Sequence, residues 1–176
     1  MPGEEKVVEL YSSVQVQKRL DDLARFVNED YVGREILLIG VLSGARVVTE
    51  ELARRLRVPL VIDYVKAGSY GDGTKSNGRV RVDFRPRERL TDRHVLLVDD
   101  IVDGGHTLAA VSERLRAEHP RSLRFFLLAN KAIGRKIYVP LDYVGFTMPN
   151  KFIVGFGMGL GEKYRDLPYL GYIAEA

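Results

Sequence analysis

Apolar positions along the chain follow two rhythms. Continuous apolar runs at 36–39, 95–98 and 123–128, the last interrupted only by Arg124, have the length and make-up of strands buried on both faces. A mixed run at 60–65 follows Pro59 and reads as another strand, and 5–11 could form a short one. Between these runs, Val16, Leu20, Leu23 and Val27, then Val48, Leu52 and Leu56, then Leu108, Val111 and Leu115 recur at the spacing of one helix face. Ser12 or Ser13 is placed to cap the first of these helices, and Pro120 ends the last after His119. Strands alternating with helices predict an α/β fold, a mostly parallel twisted sheet with helices on both faces, whose ligands bind at the carboxyl ends of the strands.

Candidate chemistry gathers at those ends. After the run 95–98 come Asp99 and Asp100, then the pair Gly104 and Gly105, then Thr107 and the third helix. A tight glycine turn that opens a helix leaves backbone N–H groups unpaired, in a place where the helix dipole favours a phosphate. The Thr107 hydroxyl can add a donor, and two carboxylates at a strand's end can reach sugar hydroxyls or a magnesium shell. Ser43 and Gly44 form a second small-residue loop after a buried strand, so they are candidates for an anion, although an ordinary connecting loop would look the same. Lys131 follows the run 123–128 and should stand at the same edge.

Two stretches break the rhythm. AGSYGDGTKSNGR, which contains Ser69 and Tyr70, is glycine-rich and polar and lies before the alternating RVRVDF of 79–84, so it reads as a long hairpin loop suited to a lid. The tail from 138 to 176 is aromatic and glycine-rich without helix patterning. There Phe152 and Ile153, with Phe146 and Tyr143 nearby, could form a slot for a flat base or could be simple core.

Composition narrows the class. With 176 residues the chain fits one domain, and the absence of cysteine removes disulfides and thiolate metal sites. No apolar run approaches membrane-spanning length, and the first residues, MPGEEKVVEL, lack an apolar signal segment, so a cytoplasmic protein is expected. A net charge of +3 suits a phosphate-rich small ligand as well as it suits nucleic acid. The arginines are spread along the chain rather than striped, which argues against a nucleic-acid-binding regulator.

The stretch VLLVDDIVDGGHTL resembles the phosphoribosyl pyrophosphate signature of the type I phosphoribosyltransferases. IGRKIYVPLDYVGFTMPNKFIVGFG and EKYRDLPYLGY are similar to the hypoxanthine-guanine branch of that family. The resemblance implies one domain, with a core over about 34–130 and a base-binding hood over about 131–176 plus the N-terminal segment. It implies a magnesium-dependent transfer of phosphoribosyl from phosphoribosyl pyrophosphate to a 6-oxopurine, a homodimer or homotetramer, and no nucleic-acid or membrane partner. A xanthine preference is the alternative within the family.

Residue by residue, the resemblance assigns Asp99 and Asp100 to the ribose hydroxyls and magnesium. It assigns Asp103, Gly104, Gly105, His106 and Thr107 to the 5′-phosphate, and Asp103 also to proton transfer at the purine ring. Lys131, Phe152, Ile153 and Gly159 match purine-binding positions. Ser43, Gly44 and Arg165 match the pyrophosphate side, and Ser69 and Tyr70 the Ser-Tyr pair of a mobile lid. Four residues depart from the usual pattern. Ser43 replaces a lysine, Gly104 a hydroxyl residue, Gly159 an aspartate, and His106 a longer residue whose side chain is expected to face outward.

Overall fold

In this computed structural model the structure describes residues 5–69 and 79–174. The chain opens with β1 (Lys6–Tyr11) and α1 (Ser13–Asp30), then runs β2 (Ile36–Leu42), α2 (Arg46–Arg55), β3 (Leu60–Ser69), β4 (Val80–Asp83), β5 (His94–Val102), α3 (His106–Arg116) and β6 (Ser122–Asn130). A single 3₁₀ turn (Ala132–Gly134) leads to β7 (Tyr143–Thr147), β8 (Ile153–Val154) and β9 (Leu170–Ala174). Among the described residues these strands form a six-stranded sheet in the order β4-β3-β2-β5-β6-β7 and a small sheet in the order β1-β9-β8.

Local chemistry accounts for the helix starts. Ser12 Oγ accepts from the Gln15 N–H at 3.2 Å while Gln15 Oε1 accepts from the Ser12 N–H at 2.8 Å, a reciprocal capping box. The face of α1 carrying Val16, Leu20, Leu23, Ala24 and Val27 is buried, as its spacing predicts. Gly40 lets α2 lie close to β2, because a Cβ there would sit 2.4 Å from Thr49 Oγ1. That hydroxyl is buried and donates to the Ala45 carbonyl at 2.6 Å.

The parallel core of the sheet comprises β3, β2, β5, β6 and β7, with β4 antiparallel at one edge. From β2 the chain steps to β3 on one side, and from β5 it steps to β6 on the other. Right-handed crossovers therefore put α2 and α3 on opposite faces. Accordingly α1 packs with α2, while α3 packs against β3 and β4. The expectation of a parallel sheet wound on both faces is met. Antiparallel pairing of β1 with β9, Val8 opposite Tyr172, builds the small sheet from the two ends of the described chain. Among the described residues no helix is long and apolar enough to cross a membrane.

Two strands are longer than their apolar runs. β3 continues from Val65 to Ser69 because β4 pairs with it, Ser69 opposite Val80. β5 continues past Val98 because β6 keeps pairing, Asp99 opposite Leu127 and Val102 opposite Asn130, whereas β2 lets go at Val98. Asp99 and Asp100 thus lie within the strand rather than after it. The third helix, in turn, stops at Arg116 rather than at His119, which adopts φ 54°.

Candidate active site

Two cavities meet at the carboxyl end of β5. The larger, of about 770 Å³, is lined by Asp99, the turn from Asp103 to Thr107, Gly134, Lys136 and Arg79. The smaller, of about 300 Å³, is lined by Ser43, Gly44, Asp100, Lys131, Phe152, Ile153, Met158, Gly159 and Arg165. Ile101 and Asp103 border both. Alternation along an extended strand explains the division, since neighbouring side chains leave on opposite faces, so Asp99 and Asp100 enter different compartments.

The turn is shaped for an anion. Gly105 occupies the N-cap of α3 with φ 95°, a left-handed conformation that only glycine adopts cheaply, and no side chain caps the helix. The first-turn N–H groups are left for a ligand. A second wall braces the turn. Lys136 and Ile137 N–H groups donate to the Gly104 carbonyl at 2.9 and 3.0 Å, and Arg135 Nε donates to the Asp103 carbonyl at 2.9 Å. Gly134 leaves room for the Asp103 carboxylate, which a Cβ would meet at 2.1 Å. His106 does not face outward as expected. It is half-buried, lines the larger cavity and lies over Gly104, whose missing side chain leaves space for the ring.

The acids are held tightly. Asp99 Oδ1 accepts from the Asp100 N–H at 2.9 Å, and Asp100 Oδ1 accepts from the Ile101 N–H at 2.7 Å. Burial, and then the neighbouring Asp100 charge, hold the Asp99 carboxyl well above the usual carboxylate range. Burial also raises Asp100, against the pull of the Asp99 hydrogen bond, the Ile101 N–H and the Arg165 guanidinium. Such a pair favours a ligand that brings positive charge or hydroxyl donors, and the ligand-free fold bears the repulsion. Replacing Asp99 by Asn keeps the amide oxygen as an acceptor for the Asp100 N–H and removes that repulsion. The ligand-free variant should therefore melt a few degrees higher in a thermal scan. An unchanged or lower midpoint would show that the pair is not strained.

The smaller cavity depends on close backbone approach. A Cβ on Gly44 would lie 1.8 Å from Asp100 Oδ2, so the β2–α2 loop touches the acid through a bare backbone. The peptide bond between Leu42 and Ser43 in that loop is cis. Arg165 is oriented by two carbonyls, donating from Nε to Gly161 at 2.7 Å and from Nη1 to Gly157 at 2.9 Å. Gly159 has no room for an aspartate, because a Cβ there would meet the Lys163 carbonyl oxygen at 2.2 Å and Arg165 Cγ at 2.7 Å. Phe152 is half exposed at the mouth while Ile153 is buried. Lys131 Nζ donates to Asp103 Oδ2 at 3.0 Å, so the cation of one cavity grips the carboxylate shared by both.

The sequence candidates other than the lid pair and the aromatics Tyr143 and Phe146 are thus gathered into two adjoining cavities. Tyr70 lies outside the described residues, and Ser69 is described only by its backbone, as the last residue of β3. Phe146 and Tyr143 line neither cavity. Phe146 packs on Tyr11 with ring centroids 4.3 Å apart, and the Tyr143 hydroxyl donates to Asp30 at 2.5 Å, so both are structural. Sequence reasoning missed Ile101, Met158, Gly134 and Arg135. Only the glycine and the arginine just after Lys131, in a stretch without hydrophobic period, could have signalled the bracing wall.

Fold and site position together define an α/β protein that takes its ligand at the carboxyl edge of parallel strands. The phosphoribosyl transferase domain family matches residues 7–159, and the chain belongs to that family. It is 39% identical to a hypoxanthine-guanine phosphoribosyltransferase of Mycobacterium avium, over 97% of this chain and 86% of that one. It is 35% identical to the bifunctional protein TilS/HprT of Listeria innocua over 93% of this chain, and it spans only 25% of that longer relative. Among solved structures, a hypoxanthine-guanine phosphoribosyltransferase of Bacillus anthracis superposes with a TM-score of 0.89 at 33% identity, covering 97% of this chain and 99% of that one.

Proposed function

We propose that the protein transfers phosphoribosyl from phosphoribosyl pyrophosphate to hypoxanthine or guanine, releasing pyrophosphate and giving IMP or GMP. The observation that carries this reading is the shared border at Asp103. A cavity lined by the turn Asp103 to Thr107 lies on one side of it, and a slot lined by Phe152 and Ile153 lies on the other, which supports a sugar joining a phosphate in the first to a base in the second.

In this reading the 5′-phosphate sits on the N–H groups of the turn 103–107, and Asp99 and Asp100 hold the ribose hydroxyls. The purine stacks on Phe152, with Gly159 and Ile153 along its edge. As the bond to pyrophosphate breaks, positive charge grows on the sugar, and the departing anion is stabilised by Arg165 and by the backbone of Ser43 and Gly44. Asp103 accepts the purine ring proton while the ring nitrogen forms the new bond to the sugar carbon. Hard oxygen donors suit magnesium, and Asp99 and Asp100 would hold it together with substrate oxygens. When bound, it supplies charge neutralisation to the pyrophosphate. Assembly as a homodimer or homotetramer belongs to the same proposal.

Lys131 reads the six-position, since an ammonium can only donate and so favours an oxo group over an amino group. Replacing Lys131 by Gln, which can both donate and accept, should shrink the preference for hypoxanthine over adenine by about tenfold or more. An identical ratio of initial rates would remove Lys131 from that role. The whole reading is tested by initial rates with hypoxanthine, guanine, xanthine and adenine in the presence of phosphoribosyl pyrophosphate and magnesium. Turnover of the oxopurines and not of adenine is expected. Failure with all four would overturn the activity, and a marked xanthine preference would move the protein to another branch.

A further inference from the structure

The turn offers a phosphate few side-chain donors. Gly104 brings no hydroxyl, Thr107 brings one, the His106 ring lines the cavity beside them, and the rest are backbone N–H groups. A phosphate monoester carries close to two negative charges near neutral pH. Both carboxylates that line the same cavity oppose it, although Asp103 is paired with Lys131 and burial favours the neutral form of Asp99.

Two cations also line this cavity, Lys136 and Arg79. Neither forms an ion pair with a carboxylate among the described residues. They approach from opposite flanks. Arg79 leads into β4, at one end of the strand order and packed beneath α3, whereas Lys136 follows β6, on the far side of β5. The backbone of Lys136 is fixed to the turn by its own N–H bond to the Gly104 carbonyl, so its position relative to the N-terminus of α3 is set.

We propose that Lys136 and Arg79 are the charged part of the phosphate cradle, clasping the substrate's terminal phosphate from two sides. This rests on the transferase reading above. Two cations with no carboxylate partner among the described residues, placed at a doubly charged group, add the charge that the hydroxyl and N–H groups of the turn cannot supply. Because both side chains are exposed, their attraction is screened by salt.

The test compares Lys136→Gln, Arg79→Gln and Lys136→Arg with the parent protein. Binding of inosine 5′-monophosphate and of inosine is measured by calorimetry, alongside steady-state kinetics. Each Gln variant should bind the nucleotide about tenfold more weakly and show a similar rise in KM for phosphoribosyl pyrophosphate, with kcat within about twofold and inosine binding unchanged. High salt should shrink the difference, and Lys136→Arg should retain most of the nucleotide affinity. Nucleotide binding by the Gln variants at parental strength, or equal losses for nucleotide and nucleoside, would overturn the clasp while leaving the transferase reading intact. A parent protein that binds no 5′-nucleotide would overturn both.

Discussion

Asp103→Asn should lower turnover by about 10²- to 10⁴-fold, the range that a positioned general base contributes, while nucleotide affinity changes little. The reason lies in the surroundings of Asp103. One carboxylate oxygen accepts from Lys131 Nζ at 3.0 Å, and the backbone carbonyl accepts from Arg135 Nε at 2.9 Å. The amide of Asn fits the same space against Gly134 and can still accept from Lys131, so the turn keeps its shape and its phosphate donors. What is lost is the negative charge beside Lys131 and, with it, the ability to take a proton. Single-turnover rates with hypoxanthine, set against IMP affinity, separate these effects, and a variant with parental turnover would strip Asp103 of its role.

Gly44→Ala should be nearly as damaging, although Gly44 has no side chain and acts only through its backbone. The added methyl would fall 1.8 Å from Asp100 Oδ2, and the acid cannot swing away freely because Oδ1 is held by the Ile101 N–H and the side chain is largely enclosed. Either the loop or the carboxylate must shift by an ångström or more. Misplacement on that scale commonly costs about 10²-fold in rate. The loss should appear in kcat/KM for phosphoribosyl pyrophosphate, with the fold retained by circular dichroism. Parental kinetics would mean that the close approach of loop and acid is incidental.

How far the chain could be read in advance depended on what each residue's neighbours in sequence reveal. Leu108, Val111 and Leu115 disclose α3, and the glycine pair before them discloses its uncapped, left-handed start at Gly105, because helix phase and turn chemistry are local properties. Asp99 and Asp100 could be placed near a strand's end, but not inside the strand, since the pairing of Asp99 with Leu127 depends on a partner 28 residues away in sequence and leaves no mark on hydropathy. β1 could be read as a short strand at 5–11, but not its pairing, because its partner β9 lies at the other end of the described chain. Tyr143 and Phe146 looked like Phe152 in sequence. Their burial beside Asp30 and Tyr11, rather than at the cavity, is decided by the sheet to which β7 is joined. The bracing wall at Gly134 to Ile137 was the least legible, because apart from the Arg135 guanidinium it acts through backbone groups that carry no side-chain signature.

The partition at Ile101 and Asp103 has a consequence for inhibitor chemistry. On the transferase reading proposed above, compounds confined to the smaller compartment would compete with the flat base, while those confined to the larger would compete with the sugar phosphate. A compound that spans both must pass the border formed by Ile101 and Asp103, so its linker should be slender and able to donate a hydrogen bond to the Asp103 carboxylate.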